Sequence, residues 1–145
     1  MTKIKKAALV PYGAEEMFRL VEDVESYPQF LPWCESAAIL TRDDRQVTAR
    51  LSVAKSGIRQ SFTTRNTAED RDRIHMQLVD GPFKRLIGLW TFDNIGERGC
   101  RVGLELEFEF ASKVLAYTFG MAFNKIATSL VDAFCERARA LHDGK

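Results

Sequence analysis

From Val102 to Phe110 apolar and polar positions alternate without a break. Val102, Leu104, Leu106, Phe108 and Phe110 fall on one side, and Gly103, Glu105, Glu107 and Glu109 on the other. A period of two is the mark of a strand with one buried face. The same alternation runs through Val47, Ala49, Leu51 and Val53, through Ile58, Gln60, Phe62 and Thr64, through Ile74, Met76 and Leu78, and through Leu86, Gly88, Trp90 and Phe92. Ile4 to Val10 and Ser36 to Thr41 read as two further strands. Turn residues separate the later strands: Asp43-Asp44, Lys55-Ser56-Gly57, Glu69-Asp70-Arg71, Asp80-Gly81-Pro82, and Asn94 to Gly99. Such short connections make consecutive strands antiparallel neighbours.

After Ser112 the period changes. Leu115, Phe119, Phe123, Ile126, Leu130, Phe134, Ala138 and Leu141 recur in steps of three and four, which places them on one side of a helix running from Ser112 to His142. Ser112 is suited to cap its first turn. About thirty residues make a rod of roughly 45 Å. Its charges argue against a bilayer span, which needs about 20 mostly apolar residues in succession. A shorter helix is expected over Ala14 to Val24, with Met17, Leu20, Val21 and Val24 on one face and Glu15 and Glu16 in the first turn. Between Ser26 and Cys34 two prolines leave room for a turn or two of helix only. The expected architecture is α+β: one strand, two short helices, six strands in a meander, and a long C-terminal helix lying across a curved antiparallel sheet. Residues 1–145 read as one domain.

The inward positions admit two readings. One is a solid core, since each buried Leu or Phe contributes roughly 1.5–3 kcal/mol. The other is a cavity, because Ala49, Gln60, Thr64 and Gly88 are small or polar inward positions among apolar ones, the composition of a small-molecule pocket. Ile87 and Leu89, on the outer face, are either scattered surface residues or part of a partner or dimer patch, which leaves the oligomeric state open.

Composition narrows the function. The 145 residues are 46% hydrophobic with a formal net charge of +1, which argues against disorder and against a DNA-binding protein. The three cysteines, Cys34, Cys100 and Cys135, are far apart and odd in number, so neither zinc nor a disulfide framework is expected. The basic start, Met1 to Lys6, leads into no apolar run of the secretory kind, and a reducing cytoplasm is the simplest compartment. Catalysis finds little support. His75 alternates outward beside Arg73 and Gln77, and His142 sits at the helix end. Glu105, Glu107 and Glu109 lie on the wet face, and Cys34 is in an apolar setting that favours the inert thiol. No catalytic residue, metal set or phosphate loop is expected.

The stretch Tyr27-Pro28-Gln29-Phe30-Leu31-Pro32-Trp33-Cys34 carries a resemblance, together with Asp80 to Leu86, Gly88-Leu89-Trp90, Phe92 and Glu107 to Phe110. Over its whole length the chain resembles the coenzyme Q-binding branch of the START-like helix-grip superfamily, also described as polyketide cyclase/dehydrase and lipid transport proteins. That branch includes ribosome-association toxins. The resemblance implies a tunnel between sheet and helix holding a polyisoprenoid quinone or another lipid, with no resident cofactor beyond that cargo. It implies a carrier or chaperone supporting respiratory quinone function, in transient contact with a membrane at the inner cytoplasmic face. Tyr27, Phe30, Leu31 and Trp33 would form a lid, with Phe83 and Leu86 at the same opening. Phe62, Met76, Trp90, Phe92, Leu106 and Phe108 would line the sheet wall, and Phe119, Phe123 and Ile126 the helix wall. Gln60 or the Tyr27 hydroxyl would donate to a quinone oxygen, unless Tyr27 is a core tyrosine with a satisfied hydroxyl. The alternatives are a toxin that binds ribosomal subunits through basic positions such as Lys3, Lys5, Lys6, Arg71, Arg73, Lys84 and Arg85, and a polyketide aromatase or cyclase.

Overall fold

The computed structural model describes residues 1–55 and 57–143. The elements follow the expected order: β1 (Thr2–Val10), α1 (Ala14–Glu22), a 3₁₀ turn (Val24–Gln29), β2 (Cys34–Arg42), β3 (Gln46–Lys55), β4 (Ile58–Glu69), β5 (Arg73–Asp80), β6 (Phe83–Ile95), β7 (Gly99–Phe110) and α2 (Lys113–Asp143). The turn expected at Lys55-Ser56-Gly57 falls partly on Ser56, outside the described residues. The strands form one sheet in the order β1-β7-β6-β5-β4-β3-β2. Every neighbouring pair is antiparallel. β2 to β7 is the expected meander. β1 pairs with β7 from Thr2↔Phe108 to Val10↔Cys100, a placement that the alternation in Ile4 to Val10 does not specify.

Strands run past the alternating segments because backbone pairing continues into polar residues. Asp93, Asn94 and Ile95 pair with Arg101, Cys100 and Gly99, so the turn expected from Asn94 shrinks to its tip, where Gly96 takes φ +64°. Asn94 gains a second task. Its Oδ1 accepts the Ala14 N–H at 3.0 Å and supplies the cap for α1 that Gly13, with no side chain, cannot. At α2 the cap is local, with the Leu115 N–H donating to Ser112 Oγ at 3.1 Å.

α2 lies along the concave face, with Phe119, Phe123, Ile126, Phe134 and Ala138 buried. Two aromatic groups hold it. Near its start, Phe83, Phe108 and Phe110 surround Phe119 and Phe123, with Phe108 and Phe123 at 4.8 Å and Phe83 and Phe123 at 4.9 Å between centroids. Further along, Tyr27, Phe30 and Trp90 meet Phe134 at 5.3, 5.2 and 5.3 Å. Leu141, expected on the buried stripe, is exposed. The last turn is fixed instead by His142, which stacks on Tyr12 at 4.3 Å and bonds Glu16 at 2.6 Å. The expectation about charge also needs correction. From Ser112 to Val131 the only charged residues are Lys113 and Lys125, and α2 is long and apolar enough to pass for a membrane span by length and composition. Its inward stripe is packed on the sheet.

The convex face is polar. Lys3–Glu107, Lys5–Glu105 and Lys84–Glu109 bridge neighbouring strands there at 3.6, 3.3 and 3.7 Å, and exposed pairs of this kind contribute about 0–1 kcal/mol each.

Candidate functional site

Between α2 and the sheet the structure keeps a cavity of about 70 Å³. Its walls come from every layer of the fold. The 3₁₀ segment and the turn that follows it give Val24, Tyr27 and Trp33. The sheet gives Ala49, Leu51, Phe62, Thr64, Asn66, Met76, Leu86, Trp90 and Leu106. The helix gives Phe123, Ile126, Leu130 and Phe134. Alternation explains the selection: β3 contributes Ala49 and Leu51, and β4 contributes Phe62, Thr64 and Asn66, positions two apart. Typical small-molecule pockets enclose roughly 300–1,000 Å³. The interior as it stands therefore takes a short piece of hydrocarbon and not a whole prenyl chain.

A wider space adjoins it. An open cleft of about 340 Å³ runs between the α1–3₁₀ segment, with Arg19, Val21, Glu22 and Asp23, and the β2–β3 hairpin, with Arg42, Asp43, Asp44, Arg45 and Val47. Cleft and cavity share five walls: Val24, Tyr27, Asn66, Met76 and Trp90. The outer rim is charged with both signs, and the shared walls are mostly apolar.

Of the residues named from the sequence, Tyr27, Trp33, Phe62, Met76, Leu86, Trp90, Leu106, Phe123 and Ile126 meet around the cavity. Phe30, Leu31, Gln60, Phe83, Phe92, Phe108 and Phe119 do not. Leu31, Phe92, Phe108 and Phe119 are wholly buried packing. Phe30 is half-buried under the Arg137 guanidinium, 5.1 Å from its ring centroid. Gln60 shares a parity with Phe62 but lies nearer the β3–β4 hairpin, beside Ser52 and Arg59. The single lid implied by the resemblance divides in two. Tyr27 and Phe30 pack on Phe134, and Phe83 packs on Phe119 and Phe123. Phe123 and Phe134 are about three turns apart, roughly 16 Å along α2.

The Tyr27 hydroxyl donates to the Val21 carbonyl. Burial raises its pKa, with the Cys34 thiol and Asp23 adding to the shift. That hydroxyl is thus committed to the end of α1, and only its ring faces the cavity. The polar groups that do face it are Thr64 and Asn66. The Thr64 hydroxyl donates to Asn66 Oδ1 at 3.0 Å, which turns the Asn66 amide nitrogen away from Thr64; it has no protein acceptor among the described residues. Asn66 lines both cavity and cleft. Extending the inward set of β4 by two residues, from Thr64 to Asn66, would have found it.

The histidines are both on the surface, His75 bonded to Glu69 at 3.0 Å. Cys34 is buried, and burial pushes its thiol up to about 11. No group of three metal-ligating side chains occurs among the described residues. The basic positions considered for a ribosomal contact are largely neutralised, with Lys3, Lys5, Arg71 and Lys84 each paired to a glutamate. Ile87 and Leu89 are half-buried and line a shallow outer groove with His75, Gln77, Glu105 and Glu107.

A curved seven-stranded antiparallel sheet gripping a long C-terminal helix around an apolar hollow is a START-like helix-grip domain. The family model described as polyketide cyclase / dehydrase and lipid transport matches residues 10–135, and the chain belongs to that family. It is 46% identical over 145 residues to the ribosome association toxin RatA of Escherichia coli K12, covering 100% of this chain and 92% of that one. It is 25% identical over 147 residues to the mitochondrial coenzyme Q-binding protein coq10 of Schizosaccharomyces pombe, covering 95% and 87%. A START superfamily protein from Mycobacterium smegmatis superposes with a TM-score of 0.81 at 22% identity, over 96% of this chain and 98% of the other.

Proposed function

We propose that the protein binds an amphiphilic hydrophobic ligand, a polyisoprenoid quinone or a comparable lipid, as a non-catalytic cytoplasmic carrier or chaperone. The observation that carries this reading is the pair of adjoining spaces, an apolar cavity and an open cleft with shared walls at Tyr27, Met76 and Trp90. The hydrocarbon end would enter the cavity, and the head would remain toward the cleft, where the Asn66 amide can donate to a quinone oxygen. Loading would require the side chains around the cavity to part, since its present volume is about 70 Å³. Among the described residues no carboxylate, histidine or lysine lines the cavity, and the Tyr27 hydroxyl is bonded to the Val21 carbonyl, which favours binding over chemistry.

The test is solvent extraction and native mass spectrometry of the purified protein, followed by uptake of short-chain quinone analogues. A co-purified or captured lipid is expected, with capture weakened by Trp33→Ala and Phe123→Ala. No lipid and no uptake would overturn the reading.

A second reading is association with a ribosomal subunit. It is favoured by the 46% identity to RatA over 100% of this chain and 92% of that one. Sucrose-gradient profiles after overproduction test it: free subunits should accumulate at the expense of joined ribosomes, and unchanged profiles would dismiss it.

A further inference from the structure

We propose that the first half of α2 is a membrane-docking surface that takes the headgroup region of a bilayer containing anionic phospholipid; its purpose, though not its measurement, rests on the carrier reading above. Val114, Tyr117 and Met121 are 70%, 89% and 74% exposed. They recur in steps of three and four, so they form one stripe over successive turns. Isolated exposed apolar residues are ordinary. Three large ones in register, on the side of the helix opposite buried Phe119, Phe123 and Ile126, are not isolated. They make this segment apolar on both sides while the sheet covers one side only. A helix apolar all round is normally sunk in a core or a membrane.

Charge selects the occupant. Lys113 and Lys125 flank the stripe, and from Ser112 to Val131 there is no Asp or Glu to offset them. Nearby Glu109 is paired with Lys84. Lysines that extend from an apolar face toward phosphate, with a tyrosine at headgroup depth, are the features of an interfacial helix on an anionic leaflet.

The position also suits delivery. Under the stripe, Phe119 and Phe123 meet Phe83 and Phe110, and Phe123 is itself a wall of the cavity. A bilayer docked on Val114 and Tyr117 is separated from the cavity by that layer of phenylalanine rings.

The experiment is flotation of the full chain with vesicles of phosphatidylcholine alone and of phosphatidylcholine with an equal part of phosphatidylglycerol, at low and high salt. Binding should favour the anionic vesicles and weaken severalfold with salt. The triple variant Val114→Gln, Tyr117→Gln, Met121→Gln should lose roughly tenfold or more of it, and Lys113→Glu with Lys125→Glu should abolish the preference for phosphatidylglycerol. Tyr117→Gln alone, at the most exposed position, guards against misfolding and should weaken binding severalfold. Quinone-analogue uptake in vesicle-free solution is measured in parallel. Uptake retained with no vesicle binding overturns this inference alone, and vesicle binding without uptake overturns the carrier reading alone. Undiminished vesicle binding by the triple variant overturns the inference. So does a wild-type chain that ignores vesicles but forms a dimer, or a ribosomal-subunit complex, that the triple variant loses.

Discussion

Trp90 on β6 and Phe134 on α2 meet edge to face, ring centroids 5.3 Å apart and planes 83° from parallel. Both are walls of the cavity, and both are almost fully buried. The contact clamps the C-terminal half of α2 to the sheet where Tyr27 and Phe30 also close on Phe134. Phe134→Ala should therefore lower unfolding free energy by about 3–5 kcal/mol, read from denaturant midpoints at unchanged slope. A loss under about 1 kcal/mol would mean that the ring is not a clamp.

Two glycines should respond differently to alanine. Gly81 has φ +154°, and a Cβ there would lie 2.6 Å from Phe62 Cβ, an atom tied to backbone. Gly88→Ala would collide with Met76 Cε, the far end of a flexible side chain. Gly81→Ala should destabilise by about 2 kcal/mol or more. Gly88→Ala should cost less and instead turn Met76 into the cavity, reducing ligand uptake. Thermal melts and uptake assays on the two variants check both halves.

Thr64→Val and Asn66→Leu replace a hydrogen-bonded pair by apolar groups of similar shape, which is often close to neutral for stability. The expected effect is on selectivity. The wild-type chain should prefer a quinone to a hydrocarbon of the same tail, and the double variant should lose that preference. Competition binding of the two ligands decides it.

The thiols set an alkaline limit. Burial raises the Cys34 and Cys100 pKa values from an ordinary 9.0 to about 11. Between those values the unfolded chain has released thiol protons that the folded chain still holds, so stability falls as pH rises from about 9 to 11. Below pH 9 the contribution is complete. Denaturant titrations at pH 8 and 10 should show the loss, and Cys34→Ala with Cys100→Ala should flatten it. At neutral pH both thiols should react slowly with iodoacetamide.

Strand identity was legible wherever one face is buried, as in Val102 to Phe110, because a period of two leaves no other reading. The long helix was legible for the same reason, at a different period. The placement of β1 beside β7 was not, since Lys3, Lys5 and Lys6 interrupt its apolar positions and pairing is a property of two strands together. The polar end of the candidate site was misplaced for a local reason. Gln60 and Asn66 have the same parity, and only their distance along β4 decides which one reaches the cavity. Tyr27 was open to two readings, and the Val21 carbonyl selects the structural one for its hydroxyl. Nor does the pattern reveal that Val79 is skipped where the register steps from Thr63↔Asp80 to Thr64↔Leu78, which leaves Phe62, Thr63 and Thr64 all buried.

The sheet has two free edges, β1 and β2, and the chain bridges them through α1 and the 3₁₀ turn. A closed barrel fixes its girth by its ring of hydrogen bonds. Here no ladder joins β1 to β2, and the girth is set by side-chain packing together with the Ala14–Asn94 hydrogen bond. On the carrier reading proposed above, guests of different cross-section would be admitted by tilting one small wedge about Pro11–Gly13 and Leu31–Trp33, with the sheet acting as a fixed frame.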